Sequence, residues 1–400
     1  MKRIRIVLLV LILIGVIFKT DVFVVSAETA LPHGVLQSSG IDVRAFGAKG
    51  DGVADDTSAI QAAINYAAAN VSGTWGNEKG GDIVFLPAGV YKVTDSIMMK
   101  KCVALMGAGM ARTIIDGSSI RYDGVTRKAV ITTSNDSVNQ NNDIIIEDLE
   151  IQSNRDTTGI EINYGTLMTR IERVKVKPAY IGISAPNSWT VKVRDCVIDS
   201  CDYGFFGTFN HNLNIADSRI HRCRIGISVT SSHVPVIERN VIQWTDEYAV
   251  YFNNCSSPII KDNYFEWNVK KASEDSSVIF IDFTNGTPKF INVIVVIDGN
   301  FIANGLDPAS YNTSHGNGIR IKFAHSVRIT SNIVDTWYSG YLPLKRGIWL
   351  ESAVKNAIIE GNRLSGEFAI KTDGKDTALT LSANDIINGI VSGGVQIRCQ

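Results

Sequence analysis

The 400-residue chain carries 39 Lys and Arg against 40 Asp and Glu, with 45% hydrophobic residues, 34 Gly and only 9 Pro. Disordered, collagen-like and proline-rich chains need far more skewed compositions, and no basic excess exists to steer the protein onto nucleic-acid phosphates. A large folded core and no nucleic-acid partner are therefore expected.

At the N-terminus, Lys2, Arg3 and Arg5 precede an unbroken apolar run from Ile6 to Phe18, and Val25-Ser26-Ala27 places small residues before Glu28. That is the pattern of a secretory signal peptide over residues 1–27, removed from a mature domain of residues 28–400. The run is shorter than the roughly 20 apolar residues a membrane span needs, and no later segment reaches that length. The expectation is a secreted protein with no integral membrane association. Without the leader 35 basic and 39 acidic groups remain, a charge near -4. Six cysteines, at 102, 196, 201, 223, 255 and 399, are too few for a disulfide scaffold, and their spacing does not match paired zinc knuckles.

Residues 41–110 read as an N-terminal cap and the first coils of a solenoid. Asp55 or Asp56 precedes a helix starting near Thr57, with Ile60, Ala63, Ile64 and Ala67 on one face. Residues 70–80, rich in Gly, Asn and Ser, read as a loop, and residues 82–91 as strand, turn and strand.

From about residue 144 to 390 the chain repeats. One segment recurs as Val193-Arg194-Asp195-Cys196, Ile215-Ala216-Asp217-Ser218, Ile237-Glu238-Arg239-Asn240, Ile260-Lys261-Asp262-Asn263, and on to Leu381-Ser382-Ala383-Asn384. Its fourth positions lie 22, 22 and 23 residues apart, then 37, 32 and 30, then 22. Between these copies runs a second segment of the form Gly-apolar-x-apolar, as in Gly182-Ile183-Ser184-Ala185, Gly226-Ile227-Ser228-Val229 and Gly318-Ile319-Arg320-Ile321. Short strands at this period, with no helical periodicity between them, bury their apolar residues only by stacking coil on coil about 4.8 Å apart. The chain reads as all-β, a single-stranded right-handed parallel β-helix with a short N-terminal capping helix that covers an otherwise open strand edge. The asparagines at 240, 263, 300, 332, 362 and 384 then form an inward ladder, with Ser218 and Cys196 in the same column. Cys201 and Cys223 fall one coil apart, as a disulfide or as a stacked pair of thiols.

The stretch Ile41-Asp42-Val43-Arg44-Ala45-Phe46-Gly47-Ala48-Lys49-Gly50-Asp51-Gly52, with Asp55-Asp56-Thr57, Ile60-Gln61-Ala62-Ala63-Ile64 and Phe85-Leu86-Pro87-Ala88-Gly89-Val90-Tyr91, resembles the opening of the pectate lyase-like superfamily. Within it, the stretch is most similar to the rhamnogalacturonase, polygalacturonase and epimerase-like branch. The resemblance implies the β-helix and action on a polysaccharide. Polygalacturonase-like members carry Asn-Thr-Asp, Gly-Asp-Asp and Gly-His-Gly motifs; this chain has Cys201-Asp202-Tyr203, Asp246-Glu247-Tyr248 and His315-Gly316-Asn317 where they would fall. Gly47 to Gly52 lacks the Gly-Lys-Ser/Thr ending of a phosphate loop.

Strand alternation nominates a groove. The second and fourth positions after each Gly point outward, giving Phe206 and Thr208, Ser228 and Thr230, Tyr251 and Asn253, Phe280 and Asp282, Arg320 and Lys322, and Trp349 and Glu351. Tyr251, Phe280 and Trp349 suggest a platform for sugar faces, with Asn253, His315 and Arg346 as further substrate-binding residues. Inverting hydrolysis would use carboxylates two coils apart, Asp282 with Glu351 or Asp202 with Glu247. A lyase or epimerase on uronates would instead use a base for the proton beside the carboxylate, with Arg320, Lys322 and Arg346, and His315 or His325 nearby, supplying charge. The expected catalytic set is therefore Asp202, Glu247, Asp282, Arg320, Lys322 and Glu351. No metal ligand is nominated and no cofactor is expected, Ca2+ entering only under the lyase reading. The sequence points to a secreted enzyme that cleaves a uronate-containing, pectin-like polysaccharide by hydrolysis or β-elimination. A non-catalytic carbohydrate-binding or cell-surface β-helix is the alternative.

Overall fold

Each short strand pairs in parallel with the strand one coil later, so three parallel sheets run the length of the protein. The computed structural model describes residues 40–400 except 75, 136–140, 166, 272, 284–292, 305–314, 336–340, 375–376, 393–396 and 400; the leader expected at 1–27 lies outside the described residues. Sheet 1 holds the Gly-apolar-x-apolar strands, among them Cys201–Thr208, Ile225–Thr230, Tyr248–Asn253, Ser277–Asp282, Asn317–Ala324 and Arg346–Val354. Sheet 2 includes Asn214–Ala216, Val236–Glu238 and Ile259–Lys261, and sheet 3 includes Arg219–His221, Val241–Gln243 and Tyr264–Glu266. The result is the right-handed parallel β-helix the repeat implies. Residues 40–400 cluster as one compact unit.

The register stacks like on like in the interior. Ile183, Phe205, Ile227, Val250, Ile279, Ile319 and Ile348 form one sheet 1 column and are fully buried. Burying a side chain of this size contributes roughly 1.5–3 kcal/mol. Where a sheet 1 strand carries its glycine, as at 182, 204, 226, 318 and 347, the next coil approaches closely, whereas Ala249 and Val278 take the position in Tyr248–Asn253 and Ser277–Asp282. A Cβ on Gly204 would lie 2.5 Å from the Gly226 carbonyl oxygen and 2.7 Å from Ile220 Cγ2.

The asparagine ladder forms at the turn from sheet 2 to sheet 3. The backbone N–H groups of Asn240, Asn263, Asn300, Asn332 and Asn362 each donate to the side-chain oxygen of the next rung at 2.9–3.1 Å. Ser218 N–H donates to Asn240 Oδ1 (3.0 Å), and Cys196 N–H to Ser218 Oγ (3.1 Å), so the column continues as expected. The residue before each rung is left-handed, for example Asp217 (φ 54), Arg239 (φ 53) and Gly299 (φ 64). That conformation turns the backbone sharply, and the amide of the rung satisfies the polar groups the turn exposes. A second, unexpected ladder lies at the turn into sheet 1, where Thr245 N–H donates to Asn268 Oδ1 (3.2 Å) and Asn268 N–H to Asn304 Oδ1 (2.6 Å).

The cap helix runs Thr57–Ala67 and buries Ala59, Ile60, Ala63, Ile64 and Ala67. Asp55, not Asp56, binds the first turn: its Oδ1 accepts from Thr57 N–H at 3.0 Å. Asp56 instead receives Lys49 N–H (2.6 Å) and Gly50 N–H (3.0 Å), tying the opening motif to the helix start. The motif thus builds the cap. Cys201 and Cys223 are both free and buried, a stacked pair of thiols with no disulfide between them.

Candidate functional site on the outer face of sheet 1

The sheet 1 register aligns Phe206, Ser228, Tyr251, Phe280, Arg320, Trp349 and Lys371 in one outward column. Thr208, Thr230, Asn253 and Asp282 stand in the next. The face changes character along the axis. Over the early coils Ser184, Thr208, Ser228 and Thr230 alternate with Tyr180, Tyr203 and Phe206, and from Tyr248 onward rings and charges fill successive coils without such gaps.

Arg320 is the centre of that packed region. It is 5% exposed, its Nε donates to Glu351 Oε1 (2.7 Å), and its Nη1 donates to Asp275 Oδ1 (2.9 Å). Its guanidinium carbon lies 4.7 Å from the Phe280 ring centroid and 4.3 Å from that of Trp349. Trp349 also meets Arg346 (4.2 Å) and Lys371 (4.8 Å), and its Nε1 donates to Asp373 Oδ2 at 2.7 Å. Stacking of this kind contributes about 0.5–2 kcal/mol per cation, more where water is excluded. Arg346, 5% exposed, donates to Asn317 Oδ1 at 3.1 Å.

A chain of hydrogen bonds runs beside it. Asn253 Nδ2 donates to Tyr251 Oη (2.9 Å), Tyr251 Oη donates to Asp282 Oδ2 (3.2 Å), and Lys322 Nζ stands 3.4 Å from Asp282 Oδ1. Phe283 N–H also donates to Asp282, at 2.7 Å. Burial, with the Asp282 carboxylate adding to it, pushes the Tyr251 phenol up to about 12 against the pull of the Asn253 bond. The phenol therefore keeps its proton at neutral pH.

Two sequence expectations change here. Phe280 does not offer an open ring to a sugar: it is 4% exposed, flanked by Tyr248 (5.6 Å) and Tyr251 (5.5 Å) and covered by Arg320 and Lys322. Asp202 and Glu247 do not stand apart as an acid and a base, because Arg224 joins them, at 3.0 Å and 2.8 Å. Asp282, Arg320, Lys322 and Glu351 do converge, with Tyr251, Asn253, Arg346 and Trp349 around them. His315 sits at the margin, its carbonyl accepting from Lys345 N–H (3.2 Å). Sequence reasoning missed Tyr248, Arg224, Asp275, Lys371 and Asp373. Lys371 and Asp373 were accessible to the same alternation carried one coil farther, whereas Asp275 reaches Arg320 from a loop and carries no periodic signal.

Among the described residues no group of three or more His, Cys, Asp and Glu is gathered to hold a metal ion. Asp275, Asp282, Glu351 and Asp373 of the packed region are each engaged by Arg or Lys, so this donor set does not fit a divalent cation. No helix among the described residues is long and apolar enough to cross a membrane.

Alginate lyase 7 of Azotobacter vinelandii is 31% identical over 222 residues, which is 48% of this chain and 24% of that protein. Mannuronan C5-epimerase AlgE4 of the same organism is 33% identical over 223 residues, 48% of this chain and 36% of its own length. The chain thus spans less than half the length of these curated relatives. Among solved structures, the AlgE4 A-module aligns with a TM-score of 0.59 at 21% identity, covering 90% of this chain and 98% of the module. The Streptococcus pneumoniae surface protein and adhesin PfbA aligns with a TM-score of 0.65 at 18% identity, covering 90% and 100%. Identities this low speak for the fold alone. The family model described as rhamnogalacturonase A/epimerase, pectate lyase-like matches residues 40–261, a stretch that ends between Asn253 and Phe280 of the candidate site. With more than half of its length matched, the chain belongs to the rhamnogalacturonase A/epimerase, pectate lyase-like family.

Proposed function

We propose that this chain is an exported carbohydrate-active enzyme that binds a uronate-containing polysaccharide along the outer face of sheet 1 and removes the proton beside the sugar carboxylate. The outcome is elimination or inversion at that carbon. The observation that carries the reading is the Asn253–Tyr251–Asp282–Lys322 chain, which sets a neutral phenol, a carboxylate and an ammonium in hydrogen-bond sequence next to Arg320. Lys322 and Arg320 supply positive charge for the sugar carboxylate and for the enolate-like charge that develops as the proton leaves. The Tyr251 oxygen takes the proton from carbon as its own proton passes to Asp282, so no free phenolate need form. The curated relatives support the substrate class: an alginate lyase and mannuronan C5-epimerases are named for uronans. Hydrolysis is less well served. A general acid is kept protonated in an apolar site away from cations, and Asp202, Glu247, Asp282 and Glu351 each lie within 3.4 Å of an Arg or Lys.

A non-catalytic binder is the second reading, favoured by the same ion pairing, which leaves these side chains already matched within the protein. The deciding assay uses the purified chain on alginate, polymannuronate and polygalacturonate. It follows ultraviolet absorbance of unsaturated uronate, reducing ends, and carbon configuration by NMR. Unsaturation means a lyase and inversion without cleavage means an epimerase. Reducing ends without unsaturation would overturn proton abstraction, and binding without turnover would make the face a binding site. N-terminal sequencing of exported protein, expected to begin at Glu28, tests the leader.

A further inference from the structure

We propose that the ridge of turns leading from sheet 1 to sheet 2 is a second glycan-binding surface, on which the ring ladder Trp189, His211 and His233 supports an extended polysaccharide strand by the faces of its sugar rings. The inference rests on the reading that this protein meets a polysaccharide, but not on catalysis. At each turn one residue points inward and is used by the backbone: Ser188 Oγ donates to the Ile162 carbonyl (2.9 Å) and Asn210 Nδ2 to the Ala185 carbonyl (2.6 Å). The residue after it is thereby forced outward. These outward residues pair coil to coil, Trp189 with His211, His211 with His233 and His233 with Ser256. The Trp189 and His211 rings lie 5.3 Å apart, and the His211 and His233 rings are stacked at 4.6 Å with 14° between their planes. Ser256 Oγ closes the row at 2.9 Å from His233 Nδ1.

Three properties of the ridge select a sugar. Trp189 is 44% exposed and Phe209, one coil on, 56%, a cost in water that a ring-face ligand removes. The turns 187–190, 209–212 and 231–234 contain no Lys, Arg, Asp or Glu, and flank the rings with Asn187, Thr190, Asn212 and Ser231. Hydroxyls of a glycan find uncharged donors and acceptors there. The ladder advances one coil per ring, about 4.8 Å, comparable with the length that one pyranose unit adds to an extended chain. The ridge also adjoins the early coils of the sheet 1 face at Thr208 and Thr230, so a strand lying on it runs parallel to the candidate site. A shared metal is not favoured, since stacked imidazoles direct their in-plane lone pairs side by side and not at one point.

The test is native affinity electrophoresis of the full chain in gels cast with alginate, polygalacturonate or hydroxyethyl cellulose, with melting temperature and molar mass measured in parallel. The expected result is retention of the wild type by at least one gel. The double variant Trp189→Ala/His211→Ala should lose that retention about tenfold or more with its melting temperature unchanged, and Trp189→Phe should keep most of it. Should the double variant melt early, the Trp189→Phe and Phe209→Ala single variants decide, the first retained and the second weakened. A wild type retained by no gel, or a double variant that migrates like it, overturns the proposal. A molar mass that rises with concentration and falls in the variant also overturns it, by showing that the ridge seats a second copy of this chain. Retention without turnover in the catalytic assay would remove the activity and leave the ridge standing.

Discussion

The asparagine ladder and the outer face of sheet 1 are both columns of side chains at coil spacing, yet only the ladder repeats itself. From Asn240 onward each coil makes the same left-handed turn, exposes the same backbone groups and satisfies them with the same amide, so Asn returns from 240 to 384. The outer column carries no shared demand. It runs from Ser228 through Tyr251, Phe280 and Arg320 to Trp349, and the steps between coils lengthen over the same stretch. A solenoid holds its coils together from the inside, which leaves the outside free to differ coil by coil. Periodicity marks what the fold requires, and its loss marks where a ligand is to be sought.

The sharpest way to break this contrast is to remove one rung. Asn300 Nδ2 donates to the Ile260 and Asp298 carbonyls and to Asn332 Oδ1, and Asn300 Oδ1 accepts from Asn263 N and Nδ2. Asn300→Ala leaves several of these groups buried without partners, at about 1–3 kcal/mol each where no water enters. A loss of about 3–5 kcal/mol is expected in urea unfolding, and a loss under 1 kcal/mol would mean that the ladder is incidental to stability. On the outer face the larger effect is expected on turnover. Tyr251→Phe deletes one oxygen and leaves Asn253 and Asp282 one bond short, so it should cost about 1–2 kcal/mol, less than the rung, and lower turnover on the uronan that proves to be the substrate about a hundredfold or more. Equal turnover in the variant would remove Tyr251 from the reaction.

The same contrast explains how much could be read beforehand. Columns follow from strand alternation and a fixed coil, so the ladder, the cap helix and the outward placement of Tyr251, Asp282, Lys322 and Glu351 were legible. Partnerships were not. Arg320 is bound by Asp275, 45 positions away in sequence, through a loop whose path no pattern dictates. Phe280 is outward in register, but the guanidinium from the next coil closes over it, and alternation reports direction without cover. Asp202 and Glu247 looked like a free carboxylate pair because the coil between them carries Arg224, whose reach in both directions only the folded chain reveals.

A smaller effect separates a structural ion network from the site. On the outer side of sheet 2, burial would raise the pKa of Glu238, but hydrogen bonds from Asn214, Lys261 and Arg239 outweigh it and bring it down to about 2. The folded-state pKa lies below the unfolded value, so this stabilisation is present above about pH 4.3 and is lost as pH falls toward 2. Glu238→Gln should remove acid-dependent stability on the order of 1 kcal/mol in that window, the partly exposed Lys261 and Arg239 being screened by solvent. An acid unfolding curve for Glu238→Gln that overlays the wild type would contradict the assignment. Activity should not respond to this substitution except through stability.

The smallest effect expected is none. Cys201 and Cys223 stack one coil apart in the core, and the hydrogen bond between them, with burial, raises the Cys201 thiol well above its ordinary value. Burial likewise pushes Cys196 and Cys255 up to about 12. Thiolate is the reactive form, so Cys196, Cys201 and Cys255 should resist alkylation until the coil opens; Cys223 is shielded by its burial, and the partly exposed Cys102 should label slowly. Mass spectrometry after a native iodoacetamide pulse should find Cys196, Cys201, Cys223 and Cys255 unmodified, and a reductant should leave the melting temperature where it was. A melting temperature that falls on reduction would mean that the 201–223 step is covalently stapled in solution. The core would then owe part of its stability to a bond and not to the repetition of its coils.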